Sequence, residues 1–549
     1  MAEQLKQDSS DSTSGRSQPG EFPKRRLGAF RSEDAELVFA LAYAAGTHID
    51  PVVDALRDYI RRFGYNPREV RISDYIKKRL KIQLREESEA DRIDSLIRGG
   101  NQICRMTKRK DFLALAAVAQ IAEDREQEND GAPMPRPRTA YIIRSLKRPE
   151  EAITLRQIYY PGFYQISVFA TEDERLQYLS ARKGIDPGRA RTIVDKDQRE
   201  QDDDYGQRTR DTFHRADVFI ENPEELKRFL DLIFGQPFQT PNRDEYAMFM
   251  AASASLRSAQ FGRQVGAAIT NELGEILGLG CNEVPRSGGG LYWSGDRGAT
   301  RDHECEPPND SNDEAKREIE NEVISRFSEG VDSALTKAVK EMGEGPLTNK
   351  LKELLLEELK LKPGALRGTK IFEITEYGRA VHAEMDALIN CSLNGVSPKG
   401  GTLFTTAFPC HNCTRHIIAA GIDRVVYIEP YPKSRAVSLH GDAVRLGRNR
   451  DRRQHVSSGD ARIPFVPFVG IGPRRFFDLF SVDLSSGYPL ERKHDGTRAN
   501  WTETRNRGPR TPLLPASYLD RELGAIREEH EALKQVENES NARPQESRR

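Results

Sequence analysis

The stretch that decides the reading runs from His382-Ala383-Glu384 to Pro409-Cys410-His411-Asn412-Cys413. Zinc takes imidazole and thiolate ligands tetrahedrally, and a catalytic zinc keeps one corner for water. His382, Cys410 and Cys413 supply three such ligands, and Zn2+ is the expected cofactor. Cys410 and Cys413 are three apart, so one turn at a helix start presents both thiolates to one ion. The helix N-terminus favours their thiolate form. His382 and Glu384 are two apart, which is not a same-face helical spacing, so the pair belongs at a helix tip. From there Glu384 serves as general acid and base, taking a proton from water and giving it to a leaving group. Cys410 and Cys413 alone would fit a structural zinc knuckle. The full set in register, with Pro409 before the first cysteine, points to a catalytic centre.

The flanks agree. Residues 401–406 read as a strand delivering the cysteines, 414–420 as the helix behind them and 422–428 as the next strand. Upstream, 244–258 reads as a helix, and 264–270 and 275–280 as strands turning at Glu272-Leu273-Gly274. A Gly-rich stretch, Ser287-Gly288-Gly289-Gly290, leads into an acidic loop. Ile319, Val323, Phe327, Val331, Leu335 and Val339 then recur every four residues, and 351–361 repeats the pattern. Residues 309–362 are therefore expected to form a solvated helical hairpin inserted into a domain spanning 236–490.

A second α/β domain is expected over 31–235. Leu37-Val38-Phe39-Ala40-Leu41-Ala42 is an apolar run of strand length, followed by a helix with Val52, Val53, Leu56, Ile60 and Phe63 on one side. Residues 139–143, 165–170 and 217–220 are further strands, each near a helical pattern, which argues a mostly parallel sheet. The loop after the first strand, Ala44-Ala45-Gly46-Thr47-His48, has only Gly46 and Thr47 in common with a phosphate-cradling loop, which needs more glycines and a Lys. Residues 1–30 read as a disordered arm. Residues 491–549 read as a charged tail ending in a short helix (Leu519, Leu523, Ile526, Leu533) suited to a partner subunit.

At 549 residues the chain has room for two to four domains. Lys+Arg 84 against Asp+Glu 85 leaves a net charge of −1, which argues against general nucleic-acid coating by bulk charge. No run of about 18 apolar residues is present, so no membrane span is expected. The N-terminal sequence lacks a secretory pattern, and six cysteines make no disulfide framework; together they suggest a reducing, cytoplasmic setting.

Gln264-Val265-Gly266-Ala267-Ala268, Gly280-Cys281-Asn282-Glu283-Val284-Pro285, the zinc motif and Ala420-Gly421-Ile422 together resemble the deoxycytidylate deaminase family. Tyr431-Pro432-Lys433-Ser434 and the run from Pro467 to Phe477 add to it. The whole resembles the two-domain bacterial antiphage deoxycytidylate deaminases, which join a P-loop kinase-like domain to a cytidine deaminase-like α/β/α domain. The resemblance implies conversion of dCTP, dCMP or both to dUTP or dUMP plus ammonia, depleting dCTP. It implies hydroxide attack on C4 of cytosine, with Glu384 protonating N3 and the amine, and Asn282 on the deoxyribose hydroxyl. It further implies a homo-oligomer and restraint by a nucleotide effector or by an inhibitory RNA or protein. Arg263, Lys433 and Arg435 are phosphate-contact candidates by charge, Gly46 and Thr47 are nucleotide-binding candidates, and His303 with Cys305 is a candidate second metal site. Two rivals stand beside this reading. One is a deaminase acting on tRNA or single-stranded DNA, and the other is a nucleotide-sensing interaction protein with a structural zinc.

Overall fold

The computed structural model describes residues 32–80, 87–128, 134–199, 203–296, 300–306, 310–342, 376–430, 434–448, 459–494, 496–506, 508–513 and 515–542, with a few further positions between 296 and 376. Two six-stranded sheets organise it.

The front sheet is built from β1 (Leu37–Tyr43), β2 (Asn66–Arg71), β3 (Thr139–Leu146), β4 (Phe163–Val168) and β5 (Val218–Ile220). These run parallel in the order β5-β4-β1-β3-β2. β1 lies at the centre and is buried on both faces. Its alternation sends Leu37, Phe39 and Leu41 into one hydrophobic cluster and Val38, Ala40 and Ala42 into the other. The helix Asp50–Arg62 follows, burying Val52, Val53, Leu56 and Ile60.

The rear sheet is mixed, with β6 (Gly266–Thr270), β7 (Ile276–Cys281), β8 (Thr402–Ala407), β9 (Arg424–Glu429), β10 (Val444–Leu446) and β11 (Ile463–Pro467) in the order β10-β11-β9-β8-β6-β7. β6 is antiparallel to β7 and β8, whereas β8, β9, β11 and β10 run parallel. The helix Ala383–Leu393 covers one face, and the helix Arg243–Ser255 covers the other. Phe219 of β5 joins Met248, Phe404 and Phe468 in the second cluster, so the two sheets share an apolar seam.

The structure redraws the expected domain limits. Immediately after β11 the chain leaves the rear sheet, and β12 (Gly470–Ile471) pairs antiparallel with β5 at the edge of the front sheet. Arg475, fully buried, then donates to Asp217 at 3.1 Å and to Asp478 at 3.0 Å. The C-terminal element is not a short helix free for another subunit. Pro515–Ala542 is a 28-residue helix laid along the helix Phe112–Glu128 of the same chain. Fully buried Arg125 clamps it, with Nη1 on Glu522 at 2.6 Å and Nη2 on Glu36 at 2.7 Å, and the Tyr518 hydroxyl donates to Glu36 at 2.6 Å. The first arm of the insertion is one 32-residue helix, Ser311–Met342; the second arm lies largely outside the described residues.

Candidate metal centre

Two loop-to-helix junctions bring the zinc motif together. His382 is the N-cap of the helix Ala383–Leu393, with extended backbone, and Glu384 follows in the first turn. Cys410 is the N-cap of the helix His411–Ala419, where its sulfur accepts from the Cys413 N–H at 3.4 Å. Each junction thus turns a side chain around a helix tip, as the spacing of two in one and three in the other requires.

The first helix is held against β7 by absent side chains. A Cβ on Gly280 would stand 2.2 Å from the Ala383 carbonyl oxygen and 2.4 Å from the Ala387 nitrogen. Only glycine admits that approach. Two hydrogen bonds fix the register: the Cys281 N–H donates to Asp386 Oδ2 at 3.1 Å, and Asn390 Nδ2 donates to the Leu279 carbonyl at 2.8 Å.

Both sulfurs lie 3.3 Å from His382 Nδ1, and all three donor atoms fall within 4.8 Å of one another. With Zn–S near 2.3 Å and Zn–N near 2.0 Å, tetrahedral donor-to-donor edges run to about 3.5–3.8 Å. The donor set, its chemistry and its spacing fit zinc. Cys413 and Cys410 are buried and His382 is partly so. Hydrogen bonds from Cys413 and His382 hold the Cys410 thiol down at about 4, and the bond to Cys410 lifts His382 to about 9. The centre therefore already favours a thiolate. Glu384 is 4% exposed and lies 3.3 Å from the Cys413 sulfur. Burial, and then the negative charge of Cys410, push its carboxyl above the usual range. A carboxyl so placed holds its proton to higher pH than a solvated one.

The other predicted residues fare unevenly. Asn282 stands at the end of β7, with Oδ1 accepting from the Val265 N–H at 2.7 Å and Nδ2 donating to the Arg263 carbonyl at 2.8 Å. It braces the 263–265 loop. Arg263 is exposed and pairs with Glu429. Arg435 is exposed in the turn after Ser434, whose hydroxyl donates to the Pro409 carbonyl at 2.7 Å. Lys433 lies outside the described residues. His303 and Cys305 form no ligand set: among the described residues only His382, Cys410 and Cys413 cluster as metal donors. Cys305 instead faces Arg379 at 3.6 Å. His416, on the helix behind the cysteines, is exposed, its Nδ1 2.7 Å from the Asn412 carbonyl.

Sequence reasoning missed Glu376, whose Oε1 accepts from Asn412 Nδ2 at 3.2 Å and lies 3.3 Å from His411 Nε2. It also missed Trp293, exposed in the Gly-rich loop with the Arg257 guanidinium 3.7 Å from its ring centre. A tryptophan in a polar loop, in a chain with only two, was the available signal.

In the front sheet, the loop after β1 holds an internal anion. The Ala45 N–H donates to Asp197 Oδ2 at 2.8 Å, and Lys147 Nζ and the Thr209 hydroxyl donate to Asp197 Oδ1 at 2.9 and 3.2 Å. A backbone N–H, an ammonium and a hydroxyl are the donors of a phosphate cradle. Here a carboxylate from the helix Pro187–Arg199, 1% exposed, fills them.

A two-sheet α/β protein with a His-Cys-Cys zinc centre and a buried glutamate beside it is the class these observations define. Comparison with known proteins places the centre within it: residues 241–429 match the family described as the cytidine and deoxycytidylate deaminase zinc-binding region. Among curated proteins, the chain is 45% identical to ComE operon protein 2 of Bacillus subtilis over 53 residues, 10% of this chain and 28% of that protein. It is 29% identical to the deoxycytidylate deaminase of Enterobacteria phage T4 over 102 residues, 17% of this chain and 53% of that one. The chain thus spans about half or less of these relatives. Among solved structures, the dCMP deaminase of cyanophage S-TIM5 in complex with dCMP and dUMP matches at 17% identity and a TM-score of 0.21, covering 41% of this chain and 98% of that one.

Proposed function

We propose that the protein is a zinc-dependent deaminase of deoxycytidine nucleotides, hydrolysing dCTP, dCMP or both to the deoxyuridine nucleotide and ammonia. The observation that carries this reading is Glu384, buried within 3.3 Å of a zinc ligand, inside the stretch that matches the deaminase family. A zinc ion in the His382, Cys410, Cys413 set supplies Lewis acidity toward water and a polarised ring carbon. Glu384 would take one proton from water and pass it to the ring nitrogen, then take the second from the hydroxyl added at the ring carbon and pass it to the departing amine. Asn282 holds the 263–265 loop at the mouth of the site, and Arg263, anchored by Glu429, places a cation there for the nucleotide phosphate. We read the front sheet as P-loop kinase-like with its phosphate loop closed by Asp197; support comes from β1 at the sheet centre and the loop opening the helix Asp50–Arg62. Depletion of dCTP during phage replication is the proposed consequence.

The test is ammonia release from purified protein given dCTP, dCMP, CTP, cytidine and single-stranded DNA separately, with Glu384→Gln as blank. Turnover confined to the deoxycytidine nucleotides is expected. Uracil appearing only in the polynucleotide overturns the reading in favour of nucleic-acid editing. Among the described residues no helix is long and apolar enough to cross a membrane.

A further inference from the structure

A cavity of about 280 Å³ opens where the helix Pro149–Tyr159 meets the turn after β12, lined by Arg156, Arg215, Arg474, Tyr160, Ile153 and Gln157. Its charge does not balance. Arg475 lies immediately behind it in sequence, so four guanidiniums gather here. Asp217 serves two of them: Arg156 donates to it from Nη1 at 2.8 Å and Nη2 at 2.9 Å, and Arg475 from Nε at 3.1 Å. The Gln165 N–H takes a further position on Asp217 at 2.7 Å, and Asp478 serves only Arg475. Arg215 and Arg474 have no carboxylate within ion-pair distance among the described residues. The Nε of Arg215 is buried with no hydrogen-bond partner among them.

Four guanidiniums against two carboxylates leave two positive charges at one cavity. Crowding by protein, and then the charges of Arg156 and Arg215, lower the pKa of Arg474 even though its side chain reaches solvent. Like charges held together with idle donors are costly unless an anion completes them. Guanidinium forks match the oxygens of a phosphate two at a time, and a phosphomonoester is close to a dianion at neutral pH, the charge that is missing. Exposed Tyr160 and Ile153 give an apolar wall for whatever carries the phosphate.

We propose that this cavity is a phosphate-binding site, separate from the metal centre, taking inorganic phosphate or the phosphate of a small phosphomonoester. Arg215 and Arg474 are its primary ligands and Asp217 fixes Arg156 as the third. Because the cavity spans the front domain and the segment returning from the rear sheet, an occupant ties the two together.

The experiment is thermal unfolding and calorimetric titration of the full-length zinc protein with sodium phosphate and with AMP, against sodium chloride at matched ionic strength. Saturable stabilisation by phosphate beyond chloride is expected. Arg474→Gln should weaken it at least tenfold and Arg474→Lys less, with deoxycytidine-nucleotide turnover unchanged. AMP binding tighter than phosphate, with the difference erased by Tyr160→Ala, identifies a phosphomonoester as the occupant. Equal binding identifies free phosphate. No effect beyond chloride, or full binding by Arg474→Gln, overturns the proposal. The readout is binding, so it stands or falls independently of the deaminase assay.

Discussion

Two strands in this molecule end in the same way, each at the carboxyl end of a parallel strand with a short loop opening a helix. After β8, the loop places Cys410 and Cys413 against His382, and the three donor atoms converge within 4.8 Å of one another. After β1, the loop of Ala44 to Thr47 gives its Ala45 N–H to Asp197, which Lys147 and Thr209 also hold. The architecture is equivalent and the chemistry opposite. One junction keeps its donors for a guest, whereas the other gives its Ala45 N–H to a carboxylate of its own chain, with the Thr47 hydroxyl buried beside it and unpartnered among the described residues. A fold offers a place for a ligand, and side chains decide whether that place is open.

Four experiments break or sharpen that contrast. The largest effect falls on Glu384→Gln, which keeps the shape of the open junction and removes its proton carrier. Ammonia release should drop by about 10²–10⁴-fold with bound zinc unchanged by elemental analysis. Next, Cys413→Ala should abolish tight zinc binding, because two donors hold the ion far less well than three; retention of stoichiometric zinc would show that the cluster is not the metal site. Asp197→Ala should destabilise the front domain by about 2–3 kcal/mol in denaturant unfolding, since it leaves the Ala45 N–H unpaired and the largely buried Lys147 ammonium without its carboxylate, holding only the Tyr43 carbonyl. Added formate should restore part of the loss, and failure to do so would mean that the loop does not hold its carboxylate as an anion. The smallest effect belongs to Gly280→Ala. Its Cβ meets backbone atoms of the helix carrying His382 and Glu384, so stability should fall by about 1–3 kcal/mol, with weaker zinc retention under chelator challenge.

The open junction was legible and the closed one was not. His382, Glu384, Cys410 and Cys413 declare themselves by residue type and spacing, and the structure seats them on two helix tips as that spacing demands. β1 and the helix after it were legible from one apolar run and one amphipathic stripe. Asp197 was not, because a single aspartate 150 residues downstream of a loop carries no local signal. β2 escaped because it is an edge strand with Pro67 and charged alternate positions. The helix Phe112–Glu128 escaped because it is apolar on all sides, buried between the sheet and the C-terminal helix, so it shows no stripe. The return at Gly470 is two residues of pairing, too short for any pattern.

That return, with the C-terminal helix, sets an order of assembly. The front domain starts at β1, but its edge is completed by Gly470–Ile471 and one face of the helix Phe112–Glu128 is covered only by Pro515–Ala542. During synthesis the front strands, which emerge before the rear sheet, therefore wait, with Arg125 uncompensated by Glu522, for Gly470–Ile471 and Pro515–Ala542 to follow. The rear domain, whose six strands all lie between residues 266 and 467, is complete earlier. The metal centre is in place before its neighbour can close, and termination between residue 467 and the helix Pro515–Ala542 leaves a chain with a finished metal centre and an open, aggregation-prone front half.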